Sequence, residues 1–248
     1  MAVNNKDNFV FGIRPVIEAI KSGKELDRIL LQKNLRGENF RELFSLIRKF
    51  EIPFQFVPVE KLNRLSKQNH QGVIGWITEI SYQKIEDILP GIFEEGRLPL
   101  ILILDGITDV RNLGAIARTA ECAGVDALVL PAQGSAQINS EAIKTSAGAL
   151  YKIPVCRVPN LKATIQFLKN SGLHVISATG ESQQDYTATD MVRPLALIMG
   201  SEGEGVSGEM RKMTDELVRI PLAGEIASLN VSVASGVLLF EILRQRKQ

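Results

Sequence analysis

Leu100-Ile101-Leu102-Ile103-Leu104, followed by Asp105-Gly106-Ile107-Thr108-Asp109-Val110-Arg111-Asn112, is the stretch that decides the fold. Consecutive aliphatic residues cannot present one dry face and one wet face, so the run reads as a strand buried on both sides. A polar loop follows it, and a helix is predicted over 112–123. The same alternation continues downstream. Strand signals at 127–130, 153–158, 173–178, 195–199 and 217–220 are separated by helical stretches at about 139–148, 160–170 and 208–213, and a last helix is predicted over 228–246. Apolar strands alternating with helices predict an α/β fold with a largely parallel sheet covered on both faces. Ligands on such sheets bind beyond the carboxyl ends of the strands, which directs attention to the loops after Leu104, Ala178, Met199 and Ile220.

Upstream of this unit the periods are shorter. A helix is expected from Gly12-Ile13-Arg14-Pro15 to about Lys21, with Pro15 in the first turn and Gly23 as the stop. Strands are predicted over 26–32, 53–57 and 72–77, and helices over 38–50 and 59–67. Residues 1–77 therefore read as a small α/β domain. Residues 78–98 show no buried pattern on this reading and carry Pro90, Gly91 and Gly96, so they are predicted to be a linker to a second domain over 99–248.

Of the 248 residues, 45% are hydrophobic and 23% are charged, which excludes disordered, collagenous and coiled-coil classes. No stretch approaches the ~20 apolar residues of a membrane helix, and the first ten residues lack a signal pattern. The expectation is a soluble, cytoplasmic protein with no membrane partner. Cys122, Cys156, His70 and His174 are not spaced as metal ligands, so no metal is expected, and both cysteines read as buried small apolar residues. The net charge of +1 is unevenly spread: residues 1–80 hold 13 Lys/Arg and 9 Asp/Glu, residues 81–248 hold 16 and 19. A basic front segment fits contact with RNA.

Three loops carry polar residues in patterns that invite chemistry. In the first, Asn112 stands where a helix is expected to begin and Gly114 follows. Arg118 lies about 9 Å further along the helix axis. Taken singly, Asn112 is a helix cap and Arg118 a surface or salt-bridged residue. The second is Gly200-Ser201-Glu202-Gly203-Glu204-Gly205, whose glycines bring backbone close to a ligand. Their spacing matches neither the dinucleotide fingerprint nor the phosphate loop, which disfavours a dehydrogenase or an ATPase. On this reading a bulky side chain at Gly200 occludes a ligand pocket while the fold survives. The third is Ser228-Leu229-Asn230-Val231-Ser232-Val233-Ala234, with Ser228 able to cap the final helix.

Taken in order, the three loops resemble the signature motifs of the SpoU (TrmH) family of RNA ribose 2′-O-methyltransferases. N-x-G-x-x-x-R appears as Asn112, Gly114 and Arg118, G-x-E-x-x-G as Gly200, Glu202 and Gly205, and S-L-N-V-S-V-A as Ser228 to Ala234. The likeness spans about 99–246. Residues 1–77 resemble the family's substrate-binding extension, an L30e-like α/β domain, with Phe11-Gly12-Ile13 and His70-Gln71-Gly72 as landmarks. Ser135-Ala136-Gln137 and the tail from Leu239 to Arg246 resemble the branch that methylates a guanosine in the peptidyl-transferase loop of 23S rRNA. Arg111 departs from the histidine or other polar residue that relatives often carry there.

The resemblance implies a SPOUT catalytic domain with a deep C-terminal trefoil knot, acting as a homodimer on 23S rRNA or a ribosomal assembly intermediate. It implies S-adenosylmethionine as methyl donor, with Thr179, Gly180, Gly200, Gly205, Ile220, Leu222, Ser228 and Leu229 in contact with it, and no metal. Arg118 would act on the ribose 2′-hydroxyl, with Asn112, Glu202, Ser228 and Asn230 orienting it and the ribose. A guanidinium stays protonated above pH 12, so Arg118 suits stabilising a developing alkoxide or clamping a phosphate better than removing a proton. Two other readings stand beside this one. A tRNA ribose methyltransferase would use the same chemistry, although such relatives often lack the front domain. A catalytically inactive RNA-binding module is disfavoured by the intact polar residues of all three motifs.

Overall fold

Residues 9–247 are described by a computed structural model, and they fall into two units, one running through Ser81 together with Ile138–Ser140 and the other comprising the rest. In the first, β1 (Phe9–Phe11), α1 (Ile13–Lys21), β2 (Leu26–Gln32), α2 (Glu38–Lys49), β3 (Phe54–Val57), α3 (Val59–Leu65) and β4 (Val73–Ile77) follow one another. The strands form a sheet in the order β1-β4-β2-β3, in which only β2 and β3 run parallel. Alternation along β2 divides its side chains between two cores. Ile29 and Leu31 meet Val16 and Ile20 of α1 and Leu43 and Ile47 of α2, while Leu30 meets Leu62 of α3 and Trp76. The three-residue β1 is too short to show a period in sequence. It ends at Gly12, whose φ of +95° turns the chain into α1.

The second unit contains α4 (Ile85–Glu94), β5 (Leu100–Asp105), α5 (Val110–Ala123), β6 (Ala127–Pro131), α6 (Ser140–Thr145) from its second residue on, β7 (Val155–Val158), α7 (Leu161–Asn170) and β8 (His174–Ala178). It continues through β9 (Leu195–Gly200), α8 (Gly208–Arg211), β10 (Glu216–Val218) and α9 (Val231–Arg246). All of its strand pairs are parallel, in the order β10-β8-β9-β5-β6-β7. The chain lays down β5, β6 and β7 in one direction and then crosses to β8 on the far side of β9. The order therefore reverses between β5 and β9, where α/β sheets open a crevice at their carboxyl ends. At that point Asp105 pairs in register with Gly200, and its carboxylate accepts the Ser207 N–H at 2.8 Å, which ties down the loop after β9.

Several expectations need correction. The stretch read as a linker contains α4, whose Ile85, Leu89 and Ile92 are buried in the second unit's core beside Ile101 and Val129. The apolar spacing Ile85, Ile88, Leu89, Ile92 was helical throughout, and Pro90 with Gly91 hid it. Helix α5 begins at Val110 with Asp109 as its cap, so Asn112 lies inside the first turn. Helix α9 is capped by Asn230, and Ser228 lies outside it. Cys156 is buried and its thiol is pushed up to about 12 by that burial, whereas Cys122 is exposed.

The far end of α9 is fastened by Arg246. Its half-buried guanidinium donates to the carbonyls of Leu98 (2.7 Å), Pro99 (3.0 Å), Arg193 (2.7 Å) and Met191 (3.3 Å), at the entrances to β5 and β9. Gln245 adds bonds to the Met191 N–H (2.9 Å) and the Thr189 carbonyl (3.1 Å). Arg246→Ala leaves these carbonyls without their donor. It is expected to cost about 3 kcal/mol, a fall in melting temperature on the order of 6–12 °C by calorimetry. A fall under about 2 °C would mean that water replaces the guanidinium at no penalty.

Candidate active site

The site is built at the carboxyl ends of the central strands. After β9 the chain folds back on itself: the Ser201 N–H donates to the Gly205 carbonyl at 3.1 Å and the Gly205 N–H to the Ser201 carbonyl at 3.0 Å. Gly205 closes this turn with φ +68°. A Cβ at Gly200 would stand 1.9 Å from the Gly205 carbonyl carbon and 2.0 Å from the Val206 nitrogen. Glycine at 200 is therefore required by its own loop, and the expectation that a larger residue would block only a ligand is corrected. The loop after β8 is held by the Thr179 N–H on the Val218 carbonyl at 2.8 Å.

Between these loops and the segment that leads into α9 lies a cavity of about 380 Å³. Thr179, Gly180, Gly200, Gly205, Ile220, Leu222, Ser228 and Leu229 all line it, together with Met199, Glu181, Glu202 and Glu204. The acidic residues at 181 and 204 had no part in the sequence reading. The loop after Leu104, also singled out in sequence, does not line the cavity.

One hydrogen-bonded group joins all three motifs. The Glu202 carboxylate accepts from Asn112 Nδ2 at 3.1 Å and from Asn230 Nδ2, and Asn230 Nδ2 also donates to Asn112 Oδ1 at 3.1 Å. Asn230 Oδ1 accepts the Ser232 N–H at 3.0 Å, so this residue caps α9 with one end of its amide and holds Glu202 with the other. The Asn112 side chain is free for this because Asp109 takes the capping role, accepting the N–H groups of Arg111 (2.6 Å) and Asn112 (3.3 Å). A capping signal, Asp ahead of an apolar-periodic run, was present in the sequence. The carboxylate of Glu202 thus sits where two helices begin, the end of a helix that favours negative charge.

Gly114 has a packing role, since a Cβ there would lie 2.7 Å from the Thr145 Cβ and 2.8 Å from the Ala142 carbonyl oxygen. Arg118, about one turn further along α5, is exposed and does not line the cavity. Among the described residues it has no hydrogen-bond or ion-pair partner, and neither does the Ser228 hydroxyl. The structure therefore brings Asn112, Glu202 and Asn230 together, sets Ser228 on the cavity wall, and leaves Arg118 outside the bonded group. Among the described residues no group of three or more His, Cys, Asp or Glu side chains is placed to hold a metal ion.

The SpoU rRNA Methylase family model matches residues 99–240, and the model for RNA 2′-O ribose methyltransferase substrate binding matches residues 9–83. The 23S rRNA (guanosine-2′-O-)-methyltransferase RlmB of Yersinia pestis is 39% identical over 236 residues, covering 93% of this chain and 96% of its own. YacO of Bacillus subtilis, provisionally named a TrmH family tRNA/rRNA methyltransferase, is 34% identical over 244 residues and 98% of each chain. Among solved structures, an AdoMet-bound rRNA methyltransferase from Sinorhizobium meliloti aligns with a TM-score of 0.61 at 25% identity, over 97% of this chain and 88% of that one. With the catalytic and the substrate-binding models both matched, this chain belongs to the SpoU (TrmH) family of RNA methyltransferases.

Proposed function

We propose that the protein transfers a methyl group from S-adenosylmethionine to the ribose 2′-hydroxyl of a guanosine in the peptidyl-transferase loop of 23S rRNA. The observation that carries the reading is the Asn112–Glu202–Asn230 group sharing Glu202 with the cavity beside it. The cavity suits the donor. Its volume is within the range of cofactor sites, roughly 300–1,000 Å³. Ile220, Leu222 and Leu229 offer apolar cover for a flat purine, Gly200 and Gly205 leave backbone accessible, and Glu181, Glu202 and Glu204 complement a cationic sulfonium and amine. Bound there, S-adenosylmethionine supplies an electrophilic methyl group.

The chain's own residues have to present the ribose. Glu202 is committed to two amides, so it works as a frame for Asn112 and Asn230 rather than as a base. Ser228, with a hydroxyl unclaimed by the protein among the described residues, orients the ribose. Arg118 donates through its guanidinium to the 2′-oxygen as that atom gains negative charge, or to the neighbouring phosphate. The matched front segment and the RlmB relative favour rRNA over tRNA as substrate. The proposal includes the knotted threading around the cavity and a homodimer formed through the exposed face of α9, where Val233 is 52% and Phe240 49% accessible. Sedimentation at micromolar concentration tests the dimer.

The deciding experiment is transfer of radiolabelled methyl from S-adenosylmethionine to total RNA of a methylation-deficient strain, with the modified ribose mapped. Label on a 23S guanosine is expected, and comparing free rRNA with ribosomal precursor particles identifies the preferred form. Label confined to tRNA would replace the rRNA assignment, and no label on any RNA would remove the enzymatic reading.

A further inference from the structure

The first unit carries an aromatic cluster at the rim of its core, where Phe44 and Phe54 pack half-buried against the core and Phe56 stands outside it. β3 is the edge strand of its sheet, and Phe54 and Phe56, two residues apart, point to the face covered by α2. Phe44 of α2 meets them with ring centroids 5.4 and 6.3 Å away, and Phe54 and Phe56 stand edge to face at 5.7 Å. Leu43 and Ile47 already close the core beneath, at 0% and 1% exposure, whereas Phe56 remains 42% exposed. Arg48 completes the cluster, its guanidinium carbon 5.2 Å from the Phe44 centroid and 5.7 Å from that of Phe54.

Arg48 is exposed and, among the described residues, has these ring contacts but no carboxylate or carbonyl partner. A guanidinium placed over aromatic rings keeps N–H donors for a phosphate, which it can take in a bidentate fork. An exposed phenyl ring next to it offers a stacking face. Aromatic faces and arginine planes side by side are how proteins take up unpaired nucleotides, whose bases are free to stack, and duplex bases have no such faces to offer.

We propose that Phe44, Arg48, Phe54 and Phe56 form a stacking site for an unpaired nucleotide of the RNA substrate, with Phe56 under the base and Arg48 on its phosphate. This rests on the RNA-methyltransferase reading and adds to it the residues and the single-stranded character of the contact. The cation seated on the rings complements the polyanionic strand, as does the excess of 13 Lys/Arg over 9 Asp/Glu in residues 1–80.

The test uses the full chain and two fluorescein-labelled probes, a 23S rRNA peptidyl-transferase-loop fragment and a fully paired RNA duplex of equal length, read by anisotropy. Phe56→Ala is expected to weaken binding of the loop fragment about 10-fold, Phe56→Trp to restore it, and Arg48→Lys to weaken it as well. Duplex affinity and S-adenosylmethionine affinity should stay at wild-type values, and the melting temperature of Phe56→Ala should fall by about 1–6 °C from the lost ring contacts, a fall that Phe56→Trp repairs. In methyl transfer the loss should appear in KM, with kcat kept at saturating RNA. Unchanged fragment binding by Phe56→Ala in a protein that still methylates RNA would overturn this site and leave the enzymatic reading intact. Equal losses on fragment and duplex, or a lowered melting temperature that Phe56→Trp does not repair, would also overturn it. A wild-type protein that methylates no RNA would instead defeat the reading on which the site rests.

Discussion

Replacing Arg118 by lysine is expected to slow single-turnover methyl transfer on the order of 100-fold, or at least ~2.7 kcal/mol of transition-state stabilisation. S-adenosylmethionine affinity and thermal melting should change little, because Arg118 is exposed, lies off the cavity wall and has no ion-pair partner among the described residues. Even an exposed ion pair would be worth under about 1 kcal/mol, so a scaffold role cannot account for a large kinetic loss. Lysine keeps the charge and removes the planar fork, which makes the substitution a test of geometry. Near-normal turnover by the lysine variant at saturating S-adenosylmethionine and RNA would leave Arg118 as a surface cation.

Gly200→Ala should act on the loop after β9 itself. The added methyl group meets backbone atoms of Gly205 and Val206 at 1.9–2.1 Å, and no side chain can swing aside to relieve it. The Ser201–Gly205 bonds must open and Glu202 must move with them. A loss of more than about 2 kcal/mol in stability is expected, together with at least ~100-fold weaker S-adenosylmethionine binding by calorimetry. Gly205→Ala is the matched control. Its Cβ meets nothing within 4 Å, and only the left-handed φ of +68° penalises it, by about 1–2 kcal/mol. Similar behaviour of the two variants would show that contact distance at Gly200 is not what the loop depends on.

The strands of the second unit were legible because β5 and β9 are short, uninterrupted apolar runs bounded by turn residues, the pattern of strands covered on both faces. Helix α4 was missed because Pro90 and Gly91 outweighed an apolar period that was present all along. The start of α5 was misplaced because Asn112 is a good capping residue, and Asp109, three positions earlier, is the one that caps. The loops after Ala178, Met199 and Ile220 that line the cavity were legible from the strand pattern, but the joining of Asn112 to Glu202 and Asn230 was legible only through the resemblance. Asn112 lies 90 positions from Glu202 and 118 from Asn230, and no local period or propensity couples residues at such separations. What joins them is the reversal of strand order between β5 and β9, a property of the whole sheet. Cys122 illustrates the opposite error. A cysteine is more often buried than not, and position on a helix face overrode that tendency.

The clasp made by Arg246 also has a place in time. Its donor and the Leu98 carbonyl are 148 residues apart, so a ribosome makes the acceptors long before the guanidinium that satisfies them. Chains fold as they emerge, N-terminal segments first, and until Arg246 arrives the carbonyls at the entrances to β5 and β9 are left to water. They converge on one point only if those two strands already lie side by side, Leu100 against Leu195. A strand slipped by one residue would offer the arginine no common target. The last turn of α9 thus ties together the entrances of two strands that only the assembled sheet brings side by side.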